Sequence, residues 1–392
     1  DAMTGQADLR PGGPDGPIYL FAGGGTGGHL YPALAVAGEL VRRQPSARVV
    51  FACSNRPIDR HILDGQPYGV VPQPVRPVPR GPGGWWAFWR AWRESRRLAC
   101  DLIADLKPRA VLGLGGFAAG PLVHQAARAG IPTALLNPDA VPGRANRFLA
   151  RRVDVIFSQY RSTADHFPAA LAGKVRPVGC PVRSELLNAS REQAMAFFAL
   201  DPARRTLVIN GGSQGAATIN EAVVLLAEHL APLAGSWQVL HITGKGWSAP
   251  SAQALAGGVS VRRVEYCDRM DLAYAAADLL LGRAGASTTA ELAATGTPAV
   301  LMPYPYHKDQ HQRLNARSMI EMAAPGLPAP AIVCDDAKDA RQNAQALSKI
   351  LLPLLSDPAA LAQMRRSACS LPGAAAAAVV AQWLLDAAVS QG

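Results

Sequence analysis

The residues best equipped for chemistry stand in one short stretch, "GGGTGGHL" (Gly23–Leu30), directly after the apolar run "PIYLFA". Gly23, Gly25 and Gly28 have the G-x-G-x-x-G spacing, in which backbone N–H groups approach a phosphate at a helix N-terminus. His29 follows the last glycine. Its imidazole, with an ordinary pKa of about 6.5, can take or give a proton near neutrality. The stretch reads as a phosphate cradle, either for a redox dinucleotide or with a proton-transfer group attached. A histidine that only caps or packs at a helix start is the plainer alternative.

A dinucleotide cradle needs an acidic residue about 20 positions on, at the end of the next strand, to hold a ribose hydroxyl. The next strand ends "VVFACSNR", with Cys53, Ser54 and Asn55 at that place, which argues against a nicotinamide or flavin. Similar turns recur. "LGLGGFAAGP" sets Gly115 and Gly116 after a strand, "GGSQGA" adds Ser213 and Gln214, and "GRAGASTTAE" runs through Gly285 into Ala286, Ser287 and Thr288. Any one of them is as readily a tight turn that binds nothing. Together, at equivalent strand ends, they outline phosphate-binding backbone able to hold two diphosphates. Thr288 and Glu291 form T-x-x-E, the pattern of a capping box, and Pro32 suits the first turn of its helix. His307 and His311 are four apart, but Lys308 stands where the zinc signature H-E-x-x-H has its Glu, and no D-x-D occurs to hold a divalent cation. No catalytic metal is expected.

These groups need a scaffold of strands and helices. Apolar runs ("PIYLFA", "ARVVFA", "RAVLGLG", "PTALLN", "DVIFS") alternate with amphipathic ones, and after "KVRPVGCPVRSELL" the pattern restarts with "RTLVING", "WQVLHITG", "VSVRRVEY", "DLLLGRAG" and "TPAVLMPYP". Such alternation predicts parallel sheets covered by helices, and its restart predicts two similar units with a boundary near 179–186. The expected division is a disordered lead-in (1–16), a first domain (17–182), a second (183–365) and a C-terminal helical segment (366–392) that packs back toward the first domain.

The remaining features bound the function. No run approaches the ~18 apolar residues of a spanning helix, and the polar, Gly- and Pro-rich start does not read as a signal peptide. Six scattered cysteines without C-x-x-C suit reduced, buried thiols in a cytosolic setting. A net charge of +10 (39 basic against 29 acidic residues) favours an anionic partner. "RGPGGWWAFWRAWRESRR" holds four of the seven tryptophans: Trp85, Trp86, Trp89 and Trp92. With Phe88, and with Arg80, Arg90, Arg93, Arg96 and Arg97, they fit a helix lying on an anionic bilayer. The competing reading is a core-facing helix with a solvated basic side. Nucleic acid is disfavoured, because no nucleic-acid fold motif accompanies the arginines.

"GGGTGGHLYPALAVA", "VLGLGGFAAGP", "PVGCPVRSELL", "GGSQGAATIN" and "GRAGASTTAELAATGTPAVLMPYPYHKDQHQRLNA" resemble, in this order, segments of the MurG family. Its members are inverting glycosyltransferases that move N-acetylglucosamine from UDP-GlcNAc onto lipid I, making lipid II for peptidoglycan. The resemblance runs from about Ile18 to the C-terminal helix. It implies an α/β GT-B fold, two Rossmann-like domains with parallel sheets facing an interdomain cleft. It implies UDP-GlcNAc as donor, lipid I as acceptor, no cofactor, and a peripheral enzyme on the cytoplasmic face of a bacterial inner membrane. Carried over position by position, Arg183, Ser213, Ala286, Ser287 and Thr288 would contact the donor diphosphate and Glu291 the ribose. The backbone of Cys267 would lie by the uracil, and Gln312 with His311 by the sugar. Thr26, Gly27 and Gly28 would lie near the reacting groups, Gly25, Gly115 and Gly116 would cradle the acceptor diphosphate, and His29 would be the base. The chain departs from the family at "LLNPDAVPG". Asn137 stands where a Glu is common, and Asp139 stands where a sugar-contacting Asn is. Asp139 can accept from sugar hydroxyls or act as the base itself. A related transferase with a different lipid or small-molecule acceptor is the alternative, and a nucleotide-sugar-binding scaffold without activity is the non-enzyme one.

Overall fold

The computed structural model describes residues 16–79, 81, 83–212, 215–247, 258–306 and 310–389. The lead-in at 1–15 lies outside them, as do Arg80, Ser213, Gln214, His307 and Lys308. The chain divides after Arg183 into two units, and residues 375–392 return to the first.

The first unit carries seven strands: β1 (Ile18–Gly23), β2 (Arg48–Ser54), β3 (Gly69–Gln73), β4 (Ala110–Gly115), β5 (Thr133–Asn137), β6 (Val155–Ser158) and β7 (Val175–Pro177). Their order in the sheet is β3-β2-β1-β4-β5-β6-β7, with every pair parallel. A parallel sheet buried on both faces needs near-continuous apolar strands, and Leu20, Phe21 and Ala22 are fully buried. One face packs on the helix Gly27–Arg43 and the terminal helix Ala376–Val389, whose Val380, Ala381 and Leu384 join the core. The other face receives Leu122, Val123 and Ala126 of the helix Gly120–Arg128.

The second unit has six parallel strands: β8 (Arg205–Asn210), β9 (Trp237–Ile242), β10 (Ser260–Val264), β11 (Leu279–Gly282), β12 (Ala299–Leu301) and β13 (Ala331–Val333). Their order is β10-β9-β8-β11-β12-β13. Both units are Rossmann-like. In each the chain leaves one central strand toward one edge and resumes on its other side, β1 beside β4 and β8 beside β11. Ligands of such sheets bind beyond the strand C-termini at that reversal. All four glycine turns follow one of these four strands.

Two expectations are corrected. The terminal segment that joins the first unit starts at 375 rather than 366. The helix Pro358–Cys369 belongs to the second unit, because Leu361 and Met364 fill that unit's core. Pro32 is not in a first turn: the helix begins at Gly27, with the N–H groups of His29 and Leu30 donating to the Thr26 carbonyl, so Pro32 falls in the second turn.

Candidate functional site

In the first unit β1 runs into Gly23, Gly24 and Gly25, all at positive φ (+151°, +143° and +89°). Gly24 tolerates no side chain, since a Cβ there would collide with the carboxylate of Asp59. Asp59 is fully buried. It accepts from the Gly25 N–H (2.7 and 2.9 Å), the Ser54 N–H (3.0 Å) and the Ser54 hydroxyl (2.6 Å). This carboxylate pins the glycine turn to the end of β2. The N–H of Gly25, expected at the acceptor diphosphate, is engaged by Asp59 in this structure.

Thr26 is the N-cap of the next helix but makes no side-chain cap bond; its hydroxyl lies 3.1 Å from His29 Nδ1. The same Nδ1 is 3.3 Å from the Gly24 carbonyl. A carbonyl only accepts, so this bond puts the ring proton on Nδ1 and leaves Nε2 with its lone pair. Gly115 (φ +89°) and Gly116 (φ +71°), at the end of β4, lie against this ring. A Cβ on Gly115 would stand 3.2 Å from Nε2, and one on Gly116 would stand 3.4 Å from Cε1. Burial lowers the imidazole pKa from 6.5, while the Gly24 carbonyl, Asp139 and Asp59 each pull it up. Burial prevails, so the ring is neutral at pH 7 and Nε2 can receive a proton.

Asp139 therefore lies close enough to His29 to be felt. Asn137, buried at the end of β5, donates to the Asp139 carbonyl (2.6 Å), and its own Oδ1 accepts from Asn146 (3.0 Å). Both ends of the Asn137 amide are thus engaged within the protein. Asn146, only 4% exposed, also donates to the Leu136 carbonyl, while its Oδ1 has no hydrogen-bond partner among the described residues and lies 3.5 Å from the Cβ position of Gly115. Arg183 stacks over Tyr31 of the helix that starts at Gly27, 4.8 Å from Cζ to ring centre. Within its own unit it stands beside the first glycine turn.

The tryptophan helix spans Trp85–Leu106 and packs inward through Ala91, Ser95, Ala99 and Leu102. The aromatic residues are largely left outside, with Trp86 76% and Trp89 53% exposed. The helix thus faces the core through Ala91, Ser95, Ala99 and Leu102, spaced three and four apart, while its arginines and Trp85, Trp86 and Trp89 lie on the exposed side. The rings run Trp85, Phe88, Trp92 and on to Phe148, at centroid spacings of 5.7, 6.2 and 6.5 Å. Arg90 lies over Trp86 and Arg152 over Phe148. Arg93 is exposed on the same helix.

In the second unit β11 leads through Gly285, the N-cap, into the helix Ala286–Thr295. Ala286, Ser287 and Thr288 form its first turn, at the positive end of the helix dipole. The capping box expected of Thr288 and Glu291 is absent. The helix begins three residues earlier than that pattern requires, which puts both side chains inside it. Glu291 lies instead by Tyr274, a buried phenol whose pKa is raised by burial and then by the charge of Glu291. Gln312, at the start of the helix His311–Glu321, accepts from the Tyr304 N–H (2.8 Å), which fixes its amide. Half-buried Cys267 has its thiol pKa pushed up by burial to about 11, so it stays protonated. Buried Arg283 donates to Asp336 (2.8 Å), Thr218 (2.8 Å) and the Met302 carbonyl (3.0 Å), bracing the turn after β11. Among the described residues no three His, Cys, Asp or Glu side chains form a metal-ligating group.

The sequence reading missed Asp59, Asn146 and Arg56, whose guanidinium donates to the Gly25 carbonyl. Their importance lies in partners far away in the chain, and no local motif marks them.

Residues 19–158 match the glycosyltransferase family 28 N-terminal domain, and residues 206–324 match its C-terminal domain. A protein of Clavibacter sepedonicus is 37% identical over 95% of this chain and 97% of its own length. One of Nocardioides sp. is 39% identical over 77% and 81%. Both are named UDP-N-acetylglucosamine–N-acetylmuramyl-(pentapeptide) pyrophosphoryl-undecaprenol N-acetylglucosamine transferase. Among solved structures, Acinetobacter baumannii MurG superposes with a TM-score of 0.71 at 27% identity, covering 95% of this chain and 99% of that one.

Proposed function

The chain belongs to glycosyltransferase family 28 and has the GT-B fold, and on that premise we propose that it transfers N-acetylglucosamine from UDP-GlcNAc to the muramoyl C4 hydroxyl of lipid I, giving lipid II. The first unit serves the acceptor and supplies the base; the second serves the donor. The observation that carries the chemistry is His29, neutral, with Nδ1 tied to the Gly24 carbonyl and Nε2 against the bare backbone of Gly115 and Gly116.

His29 Nε2 takes the proton of the acceptor hydroxyl as its oxygen attacks the anomeric carbon. The bond from that carbon to the UDP oxygen breaks with inversion, and UDP leaves carrying the electron pair. The charge that develops on the diphosphate is met by the first-turn N–H groups of Ala286, Ser287 and Thr288, and by Arg183. Ser213 is assigned to the same diphosphate on its sequence position alone. Glu291 binds the ribose, the Cys267 backbone the uracil, and Gln312 with His311 the sugar, while Thr26, Gly27 and Gly28 border the reacting atoms. Gly115 and Gly116 cradle the acceptor diphosphate. Asp139 pulls the His29 pKa up against the larger effect of burial and can accept from a sugar hydroxyl.

No helix among the described residues is long and apolar enough to cross a membrane. The exposed Trp85, Trp86 and Trp89 with Arg90 and Arg93 support peripheral binding to an anionic membrane, assigned here to the cytoplasmic face of a bacterial inner membrane. One observation favours a second reading, a transferase for another acceptor: Asn137 is a neutral amide engaged at both ends, leaving no carboxylate at that position.

The test is transfer of radiolabelled N-acetylglucosamine from UDP-GlcNAc to a short-chain lipid I analogue in EDTA. Labelled lipid II is expected. Binding of UDP-GlcNAc without product would move the reading to another acceptor, and loss of product in EDTA alone would overturn the metal-free mechanism.

A further inference from the structure

The first glycine turn is poorly furnished for an anion by itself. Its Gly25 N–H is consumed by Asp59, and Asp59 is a buried carboxylate that has no cationic partner among the described residues. A diphosphate brought to this turn meets a fixed negative charge and one donor fewer, so its approach requires a cation close by.

Arg56 stands there. It is the residue before the short helix Pro57–Leu63, three positions ahead of Asp59. Its Nη1 donates to the Gly25 carbonyl at 3.1 Å, and its guanidinium lies 5.1 Å over the ring of Phe117. Phe117 follows Gly115 and Gly116 directly, so this one side chain touches both glycine turns of the unit. The side chain is exposed, and no carboxylate pairs with it among the described residues. A guanidinium has five N–H donors, of which the Gly25 carbonyl engages one group, and its fork matches phosphate oxygens.

We propose that Arg56 binds the diphosphate of the acceptor between the two turns, offsetting Asp59; this rests on the reading of the acceptor as a diphosphate-linked lipid. The role concerns binding and not proton transfer. Arg56→Ala is therefore expected to raise KM for the lipid I analogue about tenfold or more, with KM for UDP-GlcNAc unchanged. Arg56→Lys, which keeps the charge but loses the fork, should fall between the two. A purely structural staple between the turns would disturb His29 and lower kcat in both variants without a selective rise in the acceptor KM, and that result would overturn the proposal. Calorimetry with inorganic pyrophosphate, on variants whose thermal melting matches the wild type, keeps this inference separate from the functional one. Weaker pyrophosphate binding by Arg56→Ala than by the wild type supports the site even if lipid I is not the acceptor, and equal binding overturns it.

Discussion

At position 29 two properties meet, a ring that is neutral at physiological pH and an Nε2 that keeps its lone pair. Burial supplies the first, and the Gly24 carbonyl, by holding Nδ1, supplies the second. A catalytic base whose pKa is lowered stays deprotonated to lower pH. The acid limb of kcat/KM should therefore fall below pH 6.5, with activity lost as pH drops through the lowered value and held above it. His29→Ala should bind UDP-GlcNAc normally, lose about 10²- to 10⁴-fold in turnover and lack that limb. Near-normal turnover in this variant would shift the role to Asp139. His29 was legible in the sequence because glycine spacing and its own chemistry are local. Asp59 and Asn146 were not. Asp59 reaches Gly25 across 34 positions, and Asn146 meets Asn137 only because a short helix returns over the end of β5.

At the scale of elements, periodicity identified the helices better than their ends. The T-x-x-E pattern around Thr288 is a sound local rule that the fold overrides, since β11 delivers the chain to Gly285 and the helix starts there. In the tryptophan helix the composition was unmistakable, but which side faced inward depended on which residues fit against the helix Gly120–Arg128. Trp92 reaches Gly120, where a Cβ would crowd its ring at 3.0 Å, while Trp86 and Trp89 point away. Burying such rings at a headgroup boundary is favourable, and nearby arginines add attraction to anionic lipid. Wild-type protein should sediment with vesicles containing anionic phospholipid, and Trp85→Ser, Trp86→Ser and Trp89→Ser combined should abolish most of that sedimentation. Unchanged sedimentation of the triple variant would remove this helix as the anchor.

At the scale of the whole molecule, the first unit is built from two separated stretches of chain. Leu384 comes from the terminal helix yet is fully buried in the core of that unit, beside strands from the other end of the sequence. Leu384→Ala removes buried apolar volume and should cost about 2–5 kcal/mol. The expected result is a lower melting temperature with greater loss of acceptor-side than donor-side binding. A melting curve superimposable on the wild type would show that the terminal helix is dispensable to the core.

The sequence by itself determined the two βα units, their glycine turns, the histidine set against one of them and the family to which these segments belong. The units, the turns and the histidine follow from spacing within a few residues, where strand period, helix period and turn chemistry act; the family follows from the resemblance of ordered segments along the chain. Only the tertiary structure decided that Gly25 spends its N–H on Asp59, that Arg56 spans two turns, and that Asn137 is engaged at both ends. The first two depend on which strand ends adjoin β1, with β2 on one side and β4 on the other, and the last on the short helix Arg144–Leu149 returning over the end of β5. That adjacency is set by the packing of the whole sheet, and no window of local sequence carries it.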